Sequence, residues 1–213
     1  MKQSGVFTQM RGKLGGMIYQ VLKGEQIGKT FAIPTNPQTS TQQANRGVFG
    51  QIIDSFKSIA IKVASLFWEP FAVGNKTGWG NFIGANLIAM GSTAFDMTKA
   101  IMSKGSLEGI ATLAAVYDTA DGSIDIDWVG TTYNNGDIAD HTQIVVAESN
   151  DNTILGVFAN EDTRGDELAQ VSVVAGLTAT DIEVFVWFSQ EEADDAGDGL
   201  ISNSQHCTCT APV

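Results

Sequence analysis

Few residues of this chain are of a type to do covalent chemistry. The reactive inventory is two imidazoles, His141 and His206, two thiols, Cys207 and Cys209, and twenty-four carboxylates. Nucleophilic catalysis needs a base within hydrogen-bond reach of a hydroxyl or thiol, and only those two histidines can serve. His141 follows Asp140 in a loop-like stretch; His206 stands near Ser202 and Ser204, which share its face in an extended strand by simple alternation. Neither arrangement offers a glycine elbow or an oxyanion hole. No catalytic residue is assigned, and the chain is read as a protein that is not an enzyme.

Ligand sites fare no better. His206-Cys207-Thr208-Cys209 faintly resembles a metal clip, but no second ligand cluster completes a tetrahedral site, and a disulfide across one residue would be a strained ring. The segment from Gly24 to Lys29-Thr30 resembles a phosphate-binding loop with three residues between its glycines where that motif needs four. Phe31-Ala32-Ile33-Pro34 follows it as an extended run, so no helix amino-terminus faces the anion. Asp118 with Asp121, or Asp194, Asp195 and Asp198, could hold calcium in a loop, yet neither follows the ligand-glycine pattern of a calcium loop. Arg164-Gly165-Asp166 matches an integrin-binding tripeptide, with the arginine equally suited to opposing nearby acids. No metal and no cofactor is assigned.

The elements that must carry these residues come from composition and period. With 213 residues, 43% apolar, and a mean hydropathy near zero, the chain excludes intrinsic disorder and an integral membrane protein. The apolar stretches Ser58 to Phe71 and Phe82 to Met90 fall short of the roughly 18 to 20 residues of a spanning helix. Met1-Lys2-Gln3-Ser4-Gly5 has no apolar signal core, so synthesis in a cytoplasm is expected. Charge is bipolar. Residues 1–105 hold eleven of the twelve Lys and Arg against four acids, a net of +7, whereas 106–213 hold Arg164 against twenty acids, a net of −19. The cations are spread rather than clustered, which makes nucleic acid an unlikely partner.

Three parts follow. Residues 5–33 read as a glycine-punctuated arm, with apolar runs Met17 to Leu22 and Phe31 to Ile33 and a turn at Lys23-Gly24-Glu25. After Pro34 and Pro37, Thr39-Ser40-Thr41 offer N-caps for a long helix to about Phe67, ended by Pro70; a second helix runs from about Trp79 to Met90. Either these helices bury their apolar faces against the arm or a partner, or they pack on the C-terminal part. From about Gly105 the period becomes two. Strands are expected at Ile110 to Tyr117, Ser123 to Trp128, Gln143 to Glu148, Thr153 to Phe158, Ala169 to Val174, Ile182 to Ser189 and Leu200 to Thr208. Aromatics on both faces of Ile182 to Ser189 mark a central strand covered on both sides. The fold class is therefore α+β: an arm or hairpin and two helices (residues 1–105), then an antiparallel immunoglobulin-like β-sandwich (106–213).

Gly12-Lys13-Leu14-Gly15-Gly16, Lys23-Gly24, Lys29, and Asn36-Pro37-Gln38-Thr39 with Gln42, Arg46 and Phe49 resemble the amino-terminal signature of a phage and prophage-associated protein family. Trp128, the apolar strand Ile182 to Ser189, and Ser202-Asn203-Ser204-Gln205 extend the likeness to the C-terminal part; the Cys-Thr-Cys tail departs from it. The resemblance implies a virion structural protein, a multi-copy head or tail subunit of decoration type, without assigned catalytic residues. Its partners would be further copies of itself and other virion proteins, with a host-surface ligand possible at sandwich loops such as Tyr133 to Asp140. A surface- or carbohydrate-binding adhesion module is the alternative. The expected assembly residues are Val6, Phe7, Met17, Ile18, Tyr19, Val21 and Phe31 of the arm, with Phe49, Ile53 and Phe56 of the first helix.

Overall fold

The computed structural model describes residues 11–22, 25–32, 38–72, 76–91, 94–130, 135–190 and 200–212. The chain forms two compact units, Met1–Thr39 and Ser40–Val213. Its architecture is mixed α+β, with a helical region and antiparallel sheets.

The first unit is a three-stranded antiparallel sheet in chain order: β1 (Gly12–Leu14), β2 (Met17–Leu22) and β3 (Glu25–Thr30). Gly15, at φ +60, turns β1 into β2 in a backbone region that side chains disfavour. The third strand lies earlier than the expected Phe31 to Ile33. Polar Glu25, Gln26, Lys29 and Thr30 hide it from a hydrophobicity reading, while pairing to β2 supplies its ladder.

The second unit begins with α1 (Ser40–Phe56), which starts at the expected N-cap cluster. The chain stays helical to Phe71 through a 3-10 turn (Lys57–Ile59), a π-helical stretch (Ala60–Ser65), the short α2 (Leu66–Trp68) and a final 3-10 turn (Glu69–Phe71). The buried stripe explains the irregularity. Val48, Ile52, Phe56, Ile59, Val63 and Phe67 recur mostly at four residues, above the 3.6 of an α-helix, and a wider π turn keeps them on one side. The Ser65 hydroxyl donates to the Ala60 carbonyl, one π repeat back, at 3.0 Å. Helix α3 (Gly78–Met90) is capped by Thr77, whose Oγ1 accepts from the Gly80 amide at 3.1 Å, and it stops before Gly91 at φ +73.

Seven strands follow at the positions the period of two indicates, with altered ends: β4 (Ile110–Tyr117), β5 (Ser123–Gly130), β6 (His141–Glu148), β7 (Thr153–Thr163), β8 (Leu168–Ser172), β9 (Ile182–Ser189) and β10 (Gln205–Thr208). They form a four-stranded sheet, β10-β9-β6-β7, and a three-stranded sheet, β4-β5-β8. Ile124, Ile126 and Trp128 of β5 share one buried cluster with Ile144 and Val146 of β6 and Val184, Val186 and Phe188 of β9, so the two sheets face each other. The opposite face of β9, Phe185 and Trp187, belongs to a second cluster with the helices. Phe67 meets the Trp187 ring edge-on at 5.2 Å, and Phe82 takes Phe56, Trp68 and Trp79 around it. β9 is thus an interior strand, flanked by β10 and β6 and covered on both faces.

This packing moves the domain boundary. The helices share a core with the four-stranded sheet, so they belong with the C-terminal strands, and the compact units part at Thr39/Ser40 rather than after residue 105. The helices pack on each other and share one buried cluster with Val145 and Ala147 of β6 and Phe185 and Trp187 of β9, so of the two alternatives the chain takes packing on the C-terminal strands. Buried Asn86 pins the following segment: its Oδ1 accepts from the Ile101 amide at 2.8 Å, and its Nδ2 donates to the Phe82 and Ile101 carbonyls.

Candidate assembly surface

Cross-strand register sorts the first unit's side chains onto two faces, because opposite residues of paired strands share a side. Lys13, Ile18 and Lys29 form one rung across all three strands, with Gln20 and Ile27 a second rung on the same side. Lys13 Nζ lies 3.8 Å from the Phe31 ring centroid, a cation-π contact that gathers this side into a basic and apolar surface. Met17 and Tyr19 lie on the opposite side; Gly28 opposite Tyr19 leaves room for its ring, since an added Cβ would come within 3.2 Å of it. Met17, Ile27 and Phe31 are exposed, and Ile18 and Tyr19 half-buried. The sheet therefore shows solvent on both faces, and β1 and β3 end it.

Of the residues expected to assemble, Met17, Ile18, Tyr19 and Phe31 lie in or beside this sheet, Val21 lies in β2 in register with Gln26, and Val6 and Phe7 fall outside the described residues. The three helix residues belong to the other compact unit and do not act together. Phe49 is 44% exposed, Ile53 is half-buried against the helical core, and Phe56 is fully buried. Phe56 is therefore removed from the assembly set: its ring is committed to Phe82 and Phe95.

The polar groups that chemistry might have used are held inside the second unit. The guanidinium of Arg164 is buried against buried Asp140, with Nη2 to Oδ2 at 2.9 Å and Nε to Oδ2 at 3.0 Å. That burial withdraws Arg164-Gly165-Asp166 from any receptor. Asp166 instead closes a capping box, and hydrogen bonds from the Thr163 amide and hydroxyl hold its carboxyl below the usual carboxylate value. Asp121 is likewise lowered, by the Ser123 hydroxyl and amide, in the turn before β5. Asp194, Asp195 and Asp198 lie outside the described residues, as does the loop 131–134. Among the described residues no group of three His, Cys, Asp or Glu is placed to hold a metal ion, and no helix is long and apolar enough to cross a membrane.

Alternation along β10 divides the His-Cys-Thr-Cys tail. Cys207 and Cys209 belong to the cluster between the two sheets, while His206 and Thr208 both meet Glu183, a buried residue of β9. Glu183 Oε2 receives His206 Nε2 at 2.6 Å and the Thr208 hydroxyl at 2.9 Å. The hydroxyl bonds the carboxylate and not the imidazole, so the trio lacks the nucleophile-to-base link of acyl transfer. Nothing short of the β9-β10 register reveals this grouping, because Glu183 and His206 are far apart in the chain.

Burial raises the Cys207 thiol to about 11 and the Cys209 thiol to about 12, with Glu183 adding to both. Thiols that keep their protons are poor nucleophiles. Iodoacetamide at about pH 8 is expected to spare both cysteines in the folded protein and to alkylate both in denaturant, read by intact mass. The unfolded chain ionises first, so the stability these thiols contribute is whole below pH 9.0 and is lost as the pH rises through about 11 and about 12.

No protein-family model matches this chain, and no curated protein matches it in sequence.

Proposed function

We propose that this chain is a multi-copy structural subunit of a phage virion, of head or tail, which assembles through its amino-terminal sheet and turns an acidic immunoglobulin-like sandwich outward. The observation that carries this is the make-up of the first unit. A compact unit of Met1–Thr39, without a cysteine to staple it and with both sheet faces open, lies below the size at which a chain buries enough surface to stand alone. Oligomerisation is one means of covering it, since free strand edges pair readily with a neighbour's. The likeness to phage and prophage-associated proteins supplies the setting.

The sandwich reading draws on strand order. Lettered in chain order, β4, β5 and β8 become A, B and E, and β10, β9 and β6 become G, F and C, with β7 beyond C. Six of the seven strands divide as in an immunoglobulin-like sandwich, A, B and E against G, F and C, while β7 lies beside C and not beside E. The twenty acids of residues 106–213 limit contact between neighbouring bodies.

Removal of residues 1–34 tests the assembly role. The shortened chain keeps both buried clusters and is expected to fold, to remain monomeric by light scattering at concentrations where the full chain assembles, and to stay off the particle. A shortened chain that assembles as the full one does would overturn the proposal.

A further inference from the structure

A second surface complements the arm. On the outer side of the three-stranded sheet, register places Ala114, Asp127 and Leu168 in one rung and Val116, Asp125 and Gln170 in the next, while Thr112 pairs with Val129. The alternate residues of β5 point into the core, so this side is the solvent side. Val129 and Leu168 are 49% and 59% exposed, and both aspartates are exposed. It is an acidic rung pair flanked by apolar side chains, the counterpart of the Lys13, Ile18 and Lys29 rung with Ile27 and Phe31 beside it.

Resting on the assembly reading, we infer that the basic face of one copy's arm docks on the acidic outer face of the β4-β5-β8 sheet of a second copy. Charge selects this occupant. Residues 1–39 carry five cations against one acid, a net of +4, and residues 106–213 carry −19. Two acidic sheet faces repel each other, as do two lysine rungs, so like surfaces do not pair. Lys13 and Lys29 stand on the outer strands of a three-stranded ladder, about 10 Å apart, and Asp125 and Asp127 two residues apart along a strand, about 7 Å. Lysine's long stem spans that difference, while Phe31 and Ile27 meet Val129 and Leu168. Every copy carries both surfaces, so the contact is head-to-tail and propagates from copy to copy.

Two charge-reversed full-length proteins test this: Asp125→Lys with Asp127→Lys, and Lys13→Glu with Lys29→Glu. All four side chains are exposed, so both proteins are expected to melt within a few degrees of the parent. Each alone is expected to associate about a hundredfold more weakly by sedimentation velocity. An equimolar mixture is expected to regain the parent's oligomers, because each protein then meets the opposite charge on its neighbour. The neutral pair Asp125→Asn with Asp127→Asn, which alters shape least, is expected to fall between. Either reversed protein assembling like the parent, or a mixture that stays monomeric, overturns the docking. If assembly is nonetheless lost on removing residues 1–34, the arm's role stands and only this contact falls; a monomeric parent sinks both.

Discussion

Asp140→Ala is expected to lower stability by about 3–5 kcal/mol, seen as a shift of the urea midpoint with little change in slope. The size follows from what the substitution strands. The Arg164 guanidinium is 1% exposed and is held by Asp140, by the Glu108 carbonyl at 2.6 Å and by the Phe188 ring, 4.1 Å from its carbon to the centroid. Its backbone carbonyl accepts from the Trp128 indole at 3.2 Å, and its stem fills the space that Gly130 leaves, where a Cβ would come within 2.7 Å of Cγ. Without Asp140, a cation remains among apolar walls and carbonyl dipoles with its counter-charge gone. Replacing both partners, Asp140→Ala with Arg164→Met, is expected to cost much less than the first change alone, since no unpaired charge is then buried. A double variant as unstable as the single one would mean that Arg164 matters more for its hydrogen bonds to the Glu108 and Gly109 carbonyls than for its charge.

Phe56→Ala is expected to cost a further large amount, about 3–5 kcal/mol, whereas Phe49→Ala about two turns earlier changes stability by less than about 0.5 kcal/mol. Phe56 contacts the Phe82 ring edge-on at 5.2 Å and Phe95 at 5.9 Å, in the cluster that fastens the helices to the four-stranded sheet. Deleting its ring leaves a cavity between elements that cannot collapse independently, because Phe82 is also fixed by Trp68 and Trp79. Thermal melting reads the stability of both variants, and light scattering of the folded protein reads assembly. A Phe56→Ala protein that keeps its melting temperature but loses its oligomers would return Phe56 to the interface.

The two substitutions mark the mechanical division of the molecule. Arg164 and Asp140 lock the end of β7 to the segment before β6, and the Phe56 cluster locks the helices to the sheet. The second unit is thus built to stay one body, with two buried clusters on either side of β9 and β6. The first unit has no comparable core among its described residues.

Local pattern was enough to place most elements. Alternation in Ser123 to Trp128 and Ile182 to Ser189, the cap cluster at Thr39-Ser40-Thr41, and the end of α-helix just before Pro70 each act within a few residues, so they are visible in one dimension. β9's cover on both faces was also legible, because a strand with aromatics on each side has nowhere to expose them. These periods, the bipolar charge and the scarcity of imidazoles and thiols can all be read along the chain. What lies opposite what cannot: that Glu183 meets His206, that Arg164 closes on Asp140, that β3 pairs with β2 despite its polar residues, and that the helices join the C-terminal strands emerge from the fold. Those outcomes depend on strand register and on competition between distant apolar faces for the same cover, and neither quantity is carried by any local stretch of chain.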